Sequence, residues 1–175
     1  MNLYLRMLLV LLKAAAAKKI TPLTPSTITF RTLPFDCDIN GHLTNSRYLS
    51  FMDLGRTYYV GQLKMIGKLF KKKWMPVVAS SEITFIRQVK PLQKVTLMTQ
   101  LLTWDEKYQY FYQRFSTNQH IVATALVKTA AYAKDGTVSM DKILQLYGEK
   151  LTPPPVPKTI EIFRELTAHK RQLHG

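Results

Sequence analysis

A chain of 175 residues, 46% of them hydrophobic, is long enough for one buried core and too short for two ordinary domains. Its 25 lysines and arginines against 11 acids give a formal charge of +14, a field that attracts a polyanion: a phosphorylated ligand, an anionic membrane surface, an acidic protein or nucleic acid. A single cysteine, Cys37, excludes an intramolecular disulfide framework and the usual zinc spacings, and fits a reducing compartment.

In chain order, residues 1–20 come first, apolar and basic together. The uninterrupted apolar run from Met7 to Leu12 is far short of the ~20 residues a spanning helix needs, even with Ala14 to Ala17 added. Lys13 breaks what would be the centre of a secretory signal, although the alanines imitate a cleavage site. The expectation is an interfacial helix with leucines on one side and Arg6, Lys13, Lys18 and Lys19 snorkelling toward a membrane surface. Packing on its own domain or on a partner subunit is the alternative.

Pro22 and Pro25, with Thr21, Thr24 and Ser26, make a linker. Thr27 to Arg31 then alternates as a strand should. From Tyr48 an apolar stripe at Phe51, Met52, Gly55, Tyr58, Tyr59, Leu63 and Ile66 predicts a helix to about Leu69, with Thr44 or Asn45 as N-cap. Gly55 and Gly61 weaken that helix unless something must approach closely, and a sheet wrapped around the helix would do so. After the basic turn Lys71 to Lys73, alternation predicts strands at Val77–Val89, Lys94–Trp104, Tyr108–Thr117 and Ile121–Lys134. Their turns fall at Lys90–Pro91, Asp105–Glu106, Asn118–Gln119 and Asp135–Gly136. Ser139 can cap a helix running to Gly148, the run Pro153 to Val156 stops it, and Thr159 to Leu173 reads as a terminal helix.

The stretch FDCDINGHLTNSRYLSFMDLGR, Phe35 to Arg56, sets Asp38, Asn40 and His42 at alternate positions, with Gly41 between the last two, directly ahead of the long helix. This order resembles the active-site segment of hotdog-fold acyl-CoA thioesterases. It is similar to the 4-hydroxybenzoyl-CoA thioesterase group, and to the plant acyl carrier protein thioesterases with their Asp-x-Asn-x-His. Small single-domain proteins similar to thioesterase superfamily member six share the apolar basic start. One strand, a long helix and four antiparallel strands is also the hotdog order, so pattern and motif agree. The expected fold is α+β, an antiparallel sheet wrapped around a central helix. Residues 27–140 would form the hotdog domain, 1–20 an N-terminal helix and 141–175 a helical extension.

The resemblance implies hydrolysis of an acyl-CoA or acyl carrier protein thioester. Asp38 would activate water or attack the carbonyl, Asn40 would orient the water or the carboxylate, and His42 would donate to the thioester oxygen or the leaving thiolate. Gly41 lets the backbone come close, and the helix start at Asn45 supplies amide dipoles for developing negative charge. One departure stands out: Gln88 falls where the plant enzymes carry a water-activating Glu, and Gln is no general base. No metal or cofactor is expected beyond the coenzyme A of the substrate. The expectation is a cytoplasmic protein, peripheral to a membrane through residues 1–20, that forms a homodimer or tetramer because a single sheet leaves an open edge.

Other residues read as structural. Cys37 lies between Asp36 and Asp38, which disfavour a thiolate. Asp53 and Arg56 are spaced for an ion pair on one helix face. Glu82 lies in a strand, and His120 in a predicted turn. Three rivals remain. Enoyl-CoA hydratases use Asp-x-Asn-Pro-x-His, one residue longer and with a proline absent here. A non-catalytic acyl-CoA or lipid-binding protein at a membrane fits Gln88 and the charge. Nucleic-acid binding rests on the charge and on Tyr108, Tyr110, Phe111, Tyr112 and Phe115, which could stack bases but read better as core, and no recognisable motif accompanies them.

Overall fold

Four consecutive runs of β-branched and aromatic residues build a wall, and the helix before them fills it. The computed structural model of the chain describes residues 3–118 and 120–173. In order these form α1 (Leu3–Ala16), β1 (Ser26–Arg31), a 3-10 turn (Pro34–Asp36), α2 (Asn45–Gln62) and α3 (Ile66–Lys72). There follow β2 (Met75–Phe85), β3 (Lys94–Trp104), β4 (Gln109–Thr117), β5 (His120–Ala133), β6 (Gly136–Val138), α4 (Met140–Tyr147) and α5 (Lys158–Gln172). The strands pair antiparallel in the order β1-β3-β4-β5-β2, with β6 added to β5.

Period-two alternation sends Val95, Leu97, Thr99 and Leu101 of β3, and Phe111, Gln113 and Phe115 of β4, to the face that wraps α2. α2 answers with Tyr48, Phe51, Met52, Gly55 and Tyr59. Gly55 is required there: a Cβ would lie 2.6 Å from Leu97 Cδ2 and 3.0 Å from Gln113 Nε2. The opposite face of β4 carries Tyr110, which α5 covers with Ile160 and Phe163. Tyr110, Phe111 and Phe115 are thus core residues rather than a stacking platform for bases.

The expected long helix divides. α2 ends at Gln62, and Lys64 takes a left-handed φ of 57°. The amide of Met65 donates to Val60 O and that of Lys64 to Gly61 O, the bonding of a Schellman end with lysine in the place usual for glycine. The compensation is tertiary, because Lys64 Nζ donates to the carbonyls of Ala14, Ala15 and Ala17 at 2.8–3.1 Å and so caps the end of α1. The first long strand also stops early, at Phe85, where Ile86 and Arg87 both donate to Val122 O and break the ladder. The hairpin of β5 and β6 turns on Lys134 and Asp135, one residue ahead of expectation. His120 opens β5, and the expected turn residue Gln119 lies outside the described residues.

The largest correction concerns α1. Arg6, expected to snorkel outward, is buried together with Val10 and Ala14, one residue per turn along the face that meets α2. A Cβ on Gly61 would stand 2.4 Å from that of Ala14, so the two helices nearly touch. Burying a side chain such as Val10 stabilises the contact by about 1.5–3 kcal/mol. The outer face keeps Tyr4, Leu5, Leu8, Leu9 and Leu12 in solvent. No helix among the described residues is long and apolar enough to cross a membrane.

Candidate active site

The loop that carries the motif is closed at its base. Cys37 and Leu43 form an isolated antiparallel bridge, and the Leu43 amide donates to Val89 O at 2.8 Å. Within the loop the Asp38 amide donates to His42 O, and Gly41, with φ of 71°, donates to Asp38 O. The Asp38 carboxylate accepts the Asn40 amide at 2.9 Å and the His42 amide at 3.3 Å through Oδ1, an Asx turn that fixes its direction. Asp38 and Asn40 are exposed and His42 is half-buried.

α2 begins directly after this loop, with Asn45 exposed in its first turn. Thr44 is the N-cap but makes no capping bond, since its hydroxyl donates to Asp36 O at 3.2 Å. The Arg47 amide donates to Thr44 O at 3.0 Å, whereas the Asn45 and Ser46 amides that open this 18-residue helix have no side-chain acceptor among the described residues, directly after a loop bearing a carboxylate, an amide and an imidazole. The five residues singled out from the sequence, Asp38, Asn40, Gly41, His42 and Asn45, fall on this loop and the first turn of the helix that follows it. Gln88 is exposed on the segment that Leu43 pairs with, one residue from Val89.

Two neighbours of Asp38 have other duties. Burial raises the Cys37 thiol above its ordinary range, helped by the negative charges of Asp36 and Asp38, and the thiol faces Leu33 O at 3.7 Å. Burial also pushes the Tyr48 hydroxyl up to about 12, with Cys37 adding to the shift. Tyr48 stacks edge-on against Phe85 and Phe115, at 5.1 and 5.0 Å. Asp36 is 1% exposed and anchors the loop's base, a role the sequence did not reveal because Asp36 and Asp38 look alike in it. Asp53 pairs with Arg56 as expected, and Arg56 also donates to Gln113 at 2.7 Å. Glu82 is half-buried in β2 and accepts from Thr84.

A separate apolar cavity of about 80 Å³ lies at the other end of α2. Tyr59, Leu63, Leu69, Trp74, Ala130 and Ile143 are among its walls. Helical rise puts it roughly 20 Å from Asn45, so within one subunit it is not beside Asp38.

A family model described as the thioesterase-like superfamily matches residues 32–162. A probable thioesterase of Saccharomyces cerevisiae is 30% identical over 130 residues, covering 67% of this chain and 54% of that protein. The protein named THEM6 of Drosophila melanogaster is 22% identical over 124 residues, 70% of this chain and 62% of that protein. The chain thus spans less than two thirds of the length of these relatives. Among solved structures, a DHNA-CoA thioesterase of Staphylococcus aureus superposes with a TM-score of 0.62 at 12% identity, over 74% of this chain and 99% of that one. That likeness shows the fold. With residues 32–162 of its 175 inside the family model, the chain is a hotdog-fold protein and belongs to the thioesterase-like superfamily.

Proposed function

We propose that the protein hydrolyses acyl thioesters of coenzyme A or acyl carrier protein, with Asp38 as the carboxylate that removes a proton from the attacking water. The observation that carries this reading is the exposed Asp38 carboxylate, aimed by the Asx turn and set beside the uncapped start of α2. Water adds to the thioester carbonyl as Asp38 takes its proton, and the oxyanion of the tetrahedral intermediate is held by the first-turn amides of α2. Collapse expels the thiolate, which receives the proton held by Asp38, relayed through His42 or solvent, leaving a carboxylic acid, a thiol and Asp38 again as a carboxylate. Positioned general-base chemistry supplies about 10²–10⁴-fold and one oxyanion donor about 10²–10³-fold, enough for a slow reaction to become a biological one.

The reading includes assembly through β2, an edge strand that leaves Met75, Val77, Val78 and Phe85 exposed. Antiparallel pairing of β2 with a second copy about its middle, Ser80, sets one subunit's Phe85 beside the other's Met75. Phe85 packs on Tyr48 at the start of α2, and Trp74 and Pro76 line the apolar cavity. One subunit's Asp38 loop is then adjacent to the other's cavity, which would accept part of an acyl chain.

The reading also includes a membrane contact through the outer face of α1. Tyr4, Leu5, Leu8, Leu9 and Leu12 form a continuous exposed apolar stripe, and Lys13 and Lys18 beside it are exposed. Each such lysine adds roughly 1 kcal/mol near an anionic leaflet.

A non-catalytic acyl-CoA-binding protein is favoured by one observation: Gln88, not an acid, precedes the Val89 whose carbonyl accepts the Leu43 amide. Thiol release from short, medium, long and aromatic acyl-CoAs separates the two. Turnover of at least one of them, lost in Asp38→Asn, is the expected result; saturable binding of acyl-CoA without turnover would establish the non-catalytic reading.

A further inference from the structure

We propose that Arg6, on a helix that contributes no reacting atom, is a positioning residue for Asp38. This inference rests on the catalytic reading of Asp38.

Asp36 ties together three parts of the chain. Its Oδ2 accepts the Leu33 amide at 2.9 Å and Arg6 Nη2 at 2.5 Å, and Arg47 Nε lies 3.4 Å from Oδ1. Its carbonyl accepts both the amide and the hydroxyl of Thr44. One buried residue therefore holds the 3-10 turn, the N-cap of α2 and, through Arg6, α1. The loop from Cys37 to Leu43 hangs from this point, and Asp38 is two residues along it. Among the described residues, the Asp38 side chain is hydrogen-bonded only to the Asn40 and His42 amides. Its direction is thus set by the base of the loop.

Arg6 is an expensive way to hold a helix in place. It is 7% exposed, its guanidinium lies 4.8 Å from the ring centre of Phe51, and its buried Nη1 has no hydrogen-bond partner among the described residues. Replacing a buried ion pair by apolar side chains of similar volume is often neutral or stabilising. Val10 and Ala14 already dock α1 on α2 by packing alone. What Arg6 adds is direction: a fixed donor that sets the rotamer of Asp36 from the side opposite Arg47, so that the loop emerges at one angle. Errors of about 1 Å in a reacting group cost about 10²-fold in rate, so a modest swing of the loop is enough to matter.

The test compares three variants of the full chain. Arg6→Met removes the ion pair, Asp36→Asn removes the charge at the anchor, and Val10→Ala weakens the same helix contact without touching either. For Arg6→Met the expected result is a fall of about tenfold or more in kcat with KM for acyl-CoA within about twofold, the signature of lost transition-state positioning. Amide exchange should quicken across residues 37–43 and stay unchanged in β3 and β4. Val10→Ala should lower the melting temperature with kcat unaltered. Asp36→Asn should repeat the Arg6→Met kinetics, and it decides the matter if Arg6→Met does not fold. Unchanged kcat in a folded Arg6→Met or Asp36→Asn protein overturns the proposal, as does an equal loss of kcat in Val10→Ala. Full activity in Asp38→Asn would instead remove the catalytic reading beneath it, and is a separate outcome.

Discussion

Gln113, in the middle of β4, donates to the backbone carbonyl of Met52 in α2 at 3.0 Å. The same amide nitrogen donates to Thr99 Oγ1 at 2.8 Å, and its oxygen accepts from Arg56 Nη1 at 2.7 Å. A helix carbonyl can be reached from the sheet because Gly55, three residues on, leaves room for it. Gln113→Ala strands three polar groups and is expected to cost about 3 kcal/mol. Gly55→Ala gains helix propensity but overpacks against Leu97, for a net loss of about 1–2 kcal/mol. Urea unfolding of both variants checks the two figures and their order.

The free edge of β2 sets a prediction about assembly. Val78→Lys places a charge in the middle of the exposed strand and is expected to yield a folded monomer by light scattering, with thioester hydrolysis lost. An intact dimer in that variant would move the interface to another surface.

Because α1 has one face on the domain and one in solvent, membrane affinity separates from folding. Leu8→Glu and Leu12→Glu lie on the outer face, and the pair should abolish co-sedimentation with anionic vesicles while the melting temperature holds. Deleting residues 1–19 would confuse the two effects, since it also removes Arg6, Val10 and Ala14.

Asp105 gives the structure a defined acid response. Burial opposes its ionisation but is outweighed by the Tyr108 amide, the Tyr110 hydroxyl, the Lys107 amide and the Arg164 guanidinium, so its carboxyl stays below the usual carboxylate range. A group whose folded value is lowered contributes stability that is complete above the unfolded value and is lost as pH falls through the folded one. Asp105→Asn is therefore expected to be less stable than the parent at neutral pH. Thermal melts across a pH series should show the gap narrow once the pH falls below the ordinary carboxylate range.

The legible parts of the sequence were those whose cause is local. β3 runs from Lys94 to Trp104 as alternation predicted, and it stops because Asp105 turns the chain by accepting the Lys107 and Tyr108 amides. The loop that carries the candidate site is local in the same sense, as its bonds join Asp38 to residues at most four positions away. Arg6 was not legible, because its burial depends on Asp36 thirty residues on, and a lone arginine among leucines looks like a surface anchor. Nor was the break after Gln62, where a lysine and not a glycine takes the left-handed position. Only the folded position of α1 explains why a lysine stands there in a left-handed conformation.

That lysine has a consequence for how the molecule opens. Lys64 terminates α2 with its backbone and α1 with its ammonium, so neither helix end can fray without releasing the other. The last turn of α1 and the last turn of α2 should exchange their amide hydrogens at a common rate, as a single cooperative unit. A chain segment that looks like an appendage in the sequence is thereby part of the same unfolding event as the central helix.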